Sequence, residues 1–310
     1  MIEGRWTTEW YQPDAQGRFV RPPTQFRGRV AAGEVTAGRY HLYVCLACPW
    51  AHRTLLAREL LGLHDLLGVS LVHPDMLENG WELRDDAGAS TDPVLGKRYL
   101  WEVYREARAD YTGRVTVPVL WDREAGTIVS NESREILRML STTFARAAGA
   151  QLELAPEALL PEIDAMIDAN YEPINNGVYR SGFATSQQAY EEAVGQLFER
   201  LGELEALLAG QRYLVGEQLT EADLCLWTTL VRFDAVYHGH FKCNRRRIQD
   251  YPALWGYLRD LYQRPAFRET TDLPAIKRHY YYSHESLNPS RVVPVGPELD
   301  LDGPHGREAM

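Results

Sequence analysis

Tyr40-His41-Leu42-Tyr43-Val44 runs through Cys45-Leu46-Ala47-Cys48 into Pro49-Trp50-Ala51-His52-Arg53, and this passage decides the fold. Aromatic and β-branched residues in the first five positions predict a strand. Pro49 suits the first position of a helix, where a missing N–H is no loss, and the run from Trp50 to Leu61 predicts the helix itself. Cys48 then falls at the N-cap. There it faces backbone N–H groups that have no partner within the helix and the positive end of the helix dipole. That environment favours thiolate over thiol and makes Cys48 a candidate nucleophile, against the plain reading of a buried structural cysteine. Cys45 and Cys48 formally make a Cys-x-x-Cys pair. In dithiol oxidoreductases of that pattern, however, the first cysteine caps the helix and the second lies one turn inside, where this chain has Ala51. Cys45 therefore belongs to the strand end, and Cys48 is expected to work as a single thiol with an external thiol as reductant.

Working outward, the apolar run Leu67 to Val72 suits a buried parallel strand. Residues 74–113 read as a polar insertion. Arg114 to Asp122 has a strand pattern broken by Pro118, which is tolerated where it begins a strand or makes a cis bond at a functional edge. Glu124-Ala125-Gly126 is a turn into Thr127-Ile128-Val129, and Ser130-Asn131-Glu132-Ser133 opens a helix reaching Leu140. The order β-α-β, then β-β-α with a proline before the hairpin, is a thioredoxin-like layout.

The pattern becomes helical from about residue 157. Leu197, Leu201, Leu204, Leu207 and Leu208 recur at helical spacing. Thr220-Glu221-Ala222-Asp223 is a capping-box start with Asp in the Glu position, and a further helix is expected over about Pro252 to Gln263. Residues 265–310 read as a Pro-rich tail carrying His279-Tyr280-Tyr281-Tyr282-Ser283-His284. The whole divides into an arm at 1–38, an α/β thioredoxin-like domain at 39–148 and an all-α domain at 149–310 that ends in the tail.

A chain of 310 residues that is 45% hydrophobic can bury two cores, and its net charge of −10 argues against nucleic-acid and anionic-membrane partners. No apolar run approaches the length of a membrane span and the N-terminus lacks a signal-peptide core, so a cytoplasmic location is expected. Four cysteines do not make a disulfide framework. His238-Gly239-His240 with Cys243, and separately His279 with His284, have a metal-like look. No second ligand pair completes either set, so no metal is expected.

A thioredoxin-like half followed by a helical half with Tyr213-Leu214-Val215-Gly216 and Leu219-Thr220-Glu221-Ala222-Asp223 resembles the glutathione transferase superfamily. More narrowly, Tyr40–Val44, Cys48-Pro49-Trp50-Ala51-His52-Arg53, Gly113-Arg114-Val115-Thr116-Val117-Pro118-Val119-Leu120-Trp121-Asp122 and Asn131-Glu132-Ser133 resemble the Xi class, the glutathionyl-hydroquinone reductases. Asn175-Asn176-Gly177-Val178-Tyr179, Arg232-Phe233-Asp234, Tyr237 to Cys243 and the Tyr280 run extend the resemblance into the second half. Two positions depart from the pattern: Cys45 stands where a serine is common, and Phe26-Arg27-Gly28-Arg29 where a tryptophan is common. The second departure leaves open whether the arm touches glutathione.

The resemblance implies glutathione as co-substrate, a homodimer, and a site made of Trp81, Arg114, Val115, Thr116, Val117, Pro118, Glu132 and Ser133. Val117 would pair its backbone with the cysteinyl part of glutathione, a short β-augmentation. Ser133 would take the γ-glutamyl carboxylate at the helix N-terminus and Glu132 the ammonium, although Glu132 equally fits an acid in the first turn. Arg114 alone could be a solvated strand-end charge. Tyr179 would give a proton to the substrate ring, while Tyr237 and Tyr280 would hydrogen-bond the Cys48 sulfur. Each tyrosine alone equally fits a core or interface position. The function implied is reduction of glutathionyl-hydroquinones through a Cys48–glutathione mixed disulfide. The rival readings are a general glutathione transferase, a glutaredoxin-like thiol transferase and a non-catalytic binding protein.

Overall fold

The structure is a computed structural model that describes every residue except Trp10. The chain packs as two compact units, one of Met1–Trp10, Pro22–Glu153 and Pro274–His284, the other of Tyr11–Arg21, Leu154–Leu273 and Glu285–Met310.

In the first unit, β1 (Tyr40–Val44), α1 (Pro49–Leu60), β2 (Leu67–Leu71), β3 (Val119–Asp122) and β4 (Thr127–Ser130) form a four-stranded sheet in the order β2-β1-β3-β4, with α1 as the crossover. β1 is parallel to β2 and antiparallel to β3, and every residue of β1 is buried. Such central placement explains why its sequence is a near-continuous run of large residues rather than an alternation. His41 is the polar exception. Its ring lies over Gly68, its partner in the β1–β2 register, and a Cβ at Gly68 would come within 2.7 Å of Nδ1. The other ring nitrogen, Nε2, is 2.8 Å from Ser70 Oγ.

β3 begins only at Val119, after a cis Val117–Pro118 bond, so residues 114–117 form a loop and not the first half of a strand as the pattern predicts. The hairpin turn beyond β3 is closed by Asp122, whose Oδ1 accepts from the Glu124 and Ala125 amides while Arg39 grips the carboxylate as a fork. β4 would leave an open edge, which invites association. The arm covers part of it: Gly28 N–H donates to Val129 O, Asn131 N–H donates to Phe26 O, and Arg27 bridges Ser130.

Two stretches differ from the sequence reading. Inside the polar insertion lies α2 (Leu100–Ala107), which buries Leu100, Val103 and Tyr104, with Glu102 reaching back to the Tyr99 amide. Three buried positions at i, i+3 and i+4 are too short a pattern to stand out amid charged flanks. The second difference is in the tail, where α10 (Pro265–Glu269) and α11 (Leu273–Ser283) are helical. Pro265 sits in the first turn of α10, where it does no harm, and Ile276, His279 and Tyr280 form the buried stripe of α11. From Pro274 onward α11 groups with the sheet unit. Arg278 forks onto Asp75 at 2.6 and 2.7 Å, His279 Nδ1 lies 2.7 Å from Pro74 O, and the Met76 amide donates to Ser283 Oγ at 3.0 Å.

The second unit is helical. Past α4 (Ala145–Ala148) of the first unit, α5 (Leu160–Asn170) leads through a π-helical turn, Tyr171–Asn175, into α6 (Gly177–Gly182) and the long α7 (Gln187–Leu208). Leu197, Leu201, Leu204 and Leu208 of α7 are buried, and Leu207 only half so. α8 (Glu221–Arg232) starts with the Thr220–Asp223 capping box, and Asp223 also accepts from the Leu214 amide and Tyr257 hydroxyl. α9 (Pro252–Tyr262) follows, and α10 belongs to the same unit. Among the described residues no helix is long and apolar enough to cross a membrane.

Burial, with Arg123 nearby, holds the His41 pKa down to about 4 from an ordinary 6.5. The unfolded chain therefore binds the extra proton first on acidification. The stability that His41 contributes is complete above about pH 6.5 and is lost as pH falls toward 4. Unfolding free energy should drop by up to about 1.4 kcal/mol per pH unit across that window, and His41→Asn should flatten this limb in urea titrations at pH 7, 6 and 5.

Candidate active site

Cys48 occupies the N-cap of α1, with extended φ and ψ of −81° and 120°, and Pro49 in the first turn. The turn from the strand is closed by the Cys48 amide donating to Cys45 O at 3.1 Å. Cys48 is 9% exposed and its thiol points to the Val117 carbonyl at 3.7 Å. Nucleophile candidate and proline-loop edge are therefore neighbours, as the sequence reading requires. Cys45 is buried at the strand end and lines a small apolar cavity with Leu71, Val72, Pro74 and Ala275. No disulfide joins any of the four cysteines.

The loop of Arg114, Val115, Thr116 and Val117 is held in place by two phenols. Tyr104 of α2, fully buried, donates its hydroxyl to Thr116 O at 2.8 Å and accepts from the Thr116 amide at 3.2 Å. The same oxygen accepts from Asn131 Nδ2 at 3.1 Å, which ties the loop to the turn between β4 and α3 (Ser133–Met139). Tyr111 holds the Arg114 carbonyl, and the Arg114 guanidinium donates to Glu9 O.

Glu132 is the N-cap of α3. Its Oε1 accepts from the Arg134 amide and its Oε2 from Thr24 Oγ of the arm, so both carboxylate oxygens are oriented. Ser133 is buried, with Oγ 3.5 Å from Nη1 of Arg53, a buried arginine on α1 whose guanidinium lies over the Trp50 ring. Trp81 stacks on His279 with centroids 4.9 Å apart, and Tyr280, one residue on, is buried on α11. Cys48, Trp81, Arg114 to Pro118, Glu132, Ser133 and Tyr280 thus all belong to the first unit.

Tyr179 and Tyr237 belong to the second. They stand in an aromatic nest: the Tyr179 ring lies 6.2 Å from Tyr237, 5.4 Å from Phe241 and 6.4 Å from both Phe183 and Phe19. Cys243, which closes the His238 motif, is fully buried, and that burial pushes its thiol up to about 12. No group of three or more His, Cys, Asp or Glu suited to a metal ion occurs among the described residues.

Sequence reasoning missed Tyr104, Asn131, Arg53 and Thr24 as parts of the site. Arg53 carried a signal, a charged residue one turn into a helix that has no exposed face there. The other three gave none, because their partners lie far away in the sequence. Phe26, where a tryptophan was the expectation, is buried against the Tyr104 and Tyr111 rings.

Residues 47–143 match the family model described as glutathione S-transferase, N-terminal domain, and residues 187–260 match its C-terminal domain. The chain belongs to the glutathione S-transferase family. It is 49% identical over 321 residues to the glutathionyl-hydroquinone reductase YqjG of Escherichia coli, covering 99% of this chain and 98% of that one. It is 48% identical to the glutathionyl-hydroquinone reductase PcpF of Sphingobium chlorophenolicum, covering 98% and 97% respectively. The glutathione-bound structure of YqjG superposes with a TM-score of 0.89 over 100% of this chain and 99% of that one, at 49% identity. A Xi class glutathione transferase from Natrialba magadii does so at 0.92, with 49% identity over 99% and 95%. These structural neighbours place the chain in the Xi class.

Tyr104→Phe leaves the Thr116 amide and carbonyl and the Asn131 side chain without the buried oxygen they share. It should lower unfolding free energy by about 2–3 kcal/mol in urea and expose the Thr116 amide to hydrogen exchange, whereas Tyr99→Phe should do neither.

Proposed function

We propose that this chain reduces glutathionyl-hydroquinones at the expense of glutathione, with Cys48 as nucleophile. The observation that carries the reading is the placement of the Cys48 thiol at a helix N-terminus and 3.7 Å from the Val117 carbonyl, in a chain similar along nearly its whole length to two glutathionyl-hydroquinone reductases. Helix N–H groups and dipole favour the thiolate there. Glutathione lies along residues 114–118, its cysteinyl part pairing with the Val117 backbone beside Cys48. Its γ-glutamyl carboxylate goes to Ser133 and the α3 N-terminus, and its ammonium to Glu132, whose carboxylate Thr24 already orients. Trp81 and Arg114 border the rest.

In the first half-reaction the Cys48 thiolate attacks the sulfur of the glutathionyl-hydroquinone. The carbon–sulfur bond breaks, its electron pair stays with the ring carbon, and that carbon takes a proton from Tyr179. Hydroquinone leaves and Cys48 is left disulfide-linked to glutathione. A second glutathione thiolate then attacks the glutathione sulfur of that disulfide, and oxidised glutathione departs as the Cys48 thiolate is restored. The two glutathione sulfurs, one from the thioether and one from the second thiol, lose two electrons in all; the ring carbon gains them with the Tyr179 proton, and the proton of the second glutathione thiol restores Tyr179. Tyr237 and Tyr280 serve as donors that hold the thiolate. The working form is a soluble homodimer without a metal.

A general transferase would use a hydroxyl to hold the thiolate of glutathione, and a competing cysteine at that position disfavours it. A non-catalytic role leaves Cys48, Pro118, Glu132 and Ser133 together without a reason.

Cys48→Ala should bind glutathione with wild-type affinity by calorimetry yet release less than about 1% of the wild-type hydroquinone, while Cys45→Ser should keep most activity. Equal loss in the two variants would return the dithiol reading. Tyr179→Phe should slow single-turnover hydroquinone release by about a hundredfold to ten-thousandfold and leave regeneration of pre-glutathionylated enzyme close to wild type, since a thiolate leaves well unprotonated.

A further inference from the structure

Within the helical unit, the segment Tyr11–Arg21 is seated on the end of α6 and the start of α7. The Thr185 amide donates to Gly17 O at 2.9 Å, Ser186 Oγ donates to Gln16 O at 2.7 Å, and Arg18 pairs with Glu192 at 2.9 Å. Phe19 is buried against Phe183, with centroids 5.5 Å apart. This anchoring delivers Arg21 onto the Tyr179 ring, the guanidinium carbon 4.9 Å from its centroid. Arg21 Nε donates to Oδ1 of Asn176 at 3.1 Å, and Asn176 is 5% exposed, three residues before Tyr179 at the N-cap of α6. The Asn176 amide in turn reaches Glu172 at 3.4 Å. A buried amide on the same helix thus fixes where the charge stands relative to the ring.

A cation near an aromatic face is attracted to the neutral ring, and is attracted far more to the phenolate formed once the hydroxyl proton has gone. We propose that Arg21 is a positioning residue that makes Tyr179 the stronger proton donor, by stabilising the phenolate left when its proton passes to the substrate ring. This rests on the reading of Tyr179 given above. The other charged or titratable groups on elements packed around Tyr179 include Tyr11, Asp14, Arg18, Tyr171, Glu172, Arg180, Tyr190, Glu192, Asp234, Tyr237, His238, His240, Lys242 and Cys243. Arg18 sits on Glu192, and Arg180 lies 3.8 Å from Glu172 and 3.9 Å from Glu192; the guanidinium at the Tyr179 ring face is that of Arg21.

The test is to place 3-fluorotyrosine at position 179 and titrate it by fluorine NMR in the otherwise native chain, in Arg21→Gln and in Arg21→Lys. Arg21→Gln should raise the titration midpoint by about one pH unit and Arg21→Lys by clearly less, since it keeps the charge. Single-turnover hydroquinone release should fall about threefold to tenfold in Arg21→Gln, recover partly in Arg21→Lys, and show no further loss when Arg21→Gln is added to Tyr179→Phe. An unmoved midpoint in Arg21→Gln overturns the proposal, as does a Lys variant that loses as much as the Gln variant in both readouts. Native protein that never releases hydroquinone from a glutathionyl-hydroquinone, with the fluorine shift intact, instead overturns the functional reading on which the proposal rests.

Discussion

One buried oxygen, the hydroxyl of Tyr104, holds together the parts of this chain that the proposed chemistry needs. It makes hydrogen bonds with the amide and carbonyl of Thr116 and with the Asn131 side chain, and so joins the loop before Pro118 to the start of α3. Neither segment could satisfy those groups from within. The loop is not yet strand, the turn is not yet helix, and a buried backbone group without a partner costs about as much as the net gain from one or two hydrogen bonds. A helix inserted between β2 and β3 supplies the missing partner. This accounts for α2 in a stretch otherwise full of charge. It also accounts for Phe26 of the arm, whose ring meets that of Tyr104 at 5.9 Å and closes the phenol off from water.

The parts legible in the sequence are those fixed by local chemistry. Pro49 after Cys48 specifies a helix start and its N-cap, and Thr220 with Asp223 specifies another. Each signal lies within about one turn of what it determines, the range over which capping acts. The same locality explains the misses. α2 and α11 each rest on a short buried stripe of three or four residues, and what makes them helices is tertiary: Tyr104 with Thr116 for one, Arg278 with Asp75 for the other. Pro118 announced an edge but not where the strand begins. Thr24 and Arg21 had no reason to be singled out in a stretch read only as an arm, because the carboxylate and the ring they meet lie more than a hundred residues further along.

Two cysteines of this chain show how far backbone placement decides chemistry. Cys243 is enclosed, and burial alone pushes its thiol up to about 12, beyond use at neutral pH. Cys48 is nearly as buried at 9% exposure, yet it caps a helix. For a small anion, preoriented N–H dipoles replace water at little further cost, because the backbone has already been fixed in folding. On the proposed reading it is this placement at the helix start, not exposure, that lets Cys48 serve as the nucleophile.

That division of labour bears on the aromatic nest of the helical unit. A thiolate attacking sulfur needs no acid, whereas the ring carbon that gives up the sulfur must gain a proton, so the acid can stand on a separate part of the chain from the nucleophile. A phenol in apolar surroundings is by default a reluctant donor, because the phenolate it leaves is poorly solvated. If Tyr179 is that acid, as proposed, the nest would weaken it unless a positive charge were built in. Phe19 and Arg21 come from the same short piece of arm, so on the proposed reading one segment supplies both a ring of the nest and the cation that offsets its apolar character.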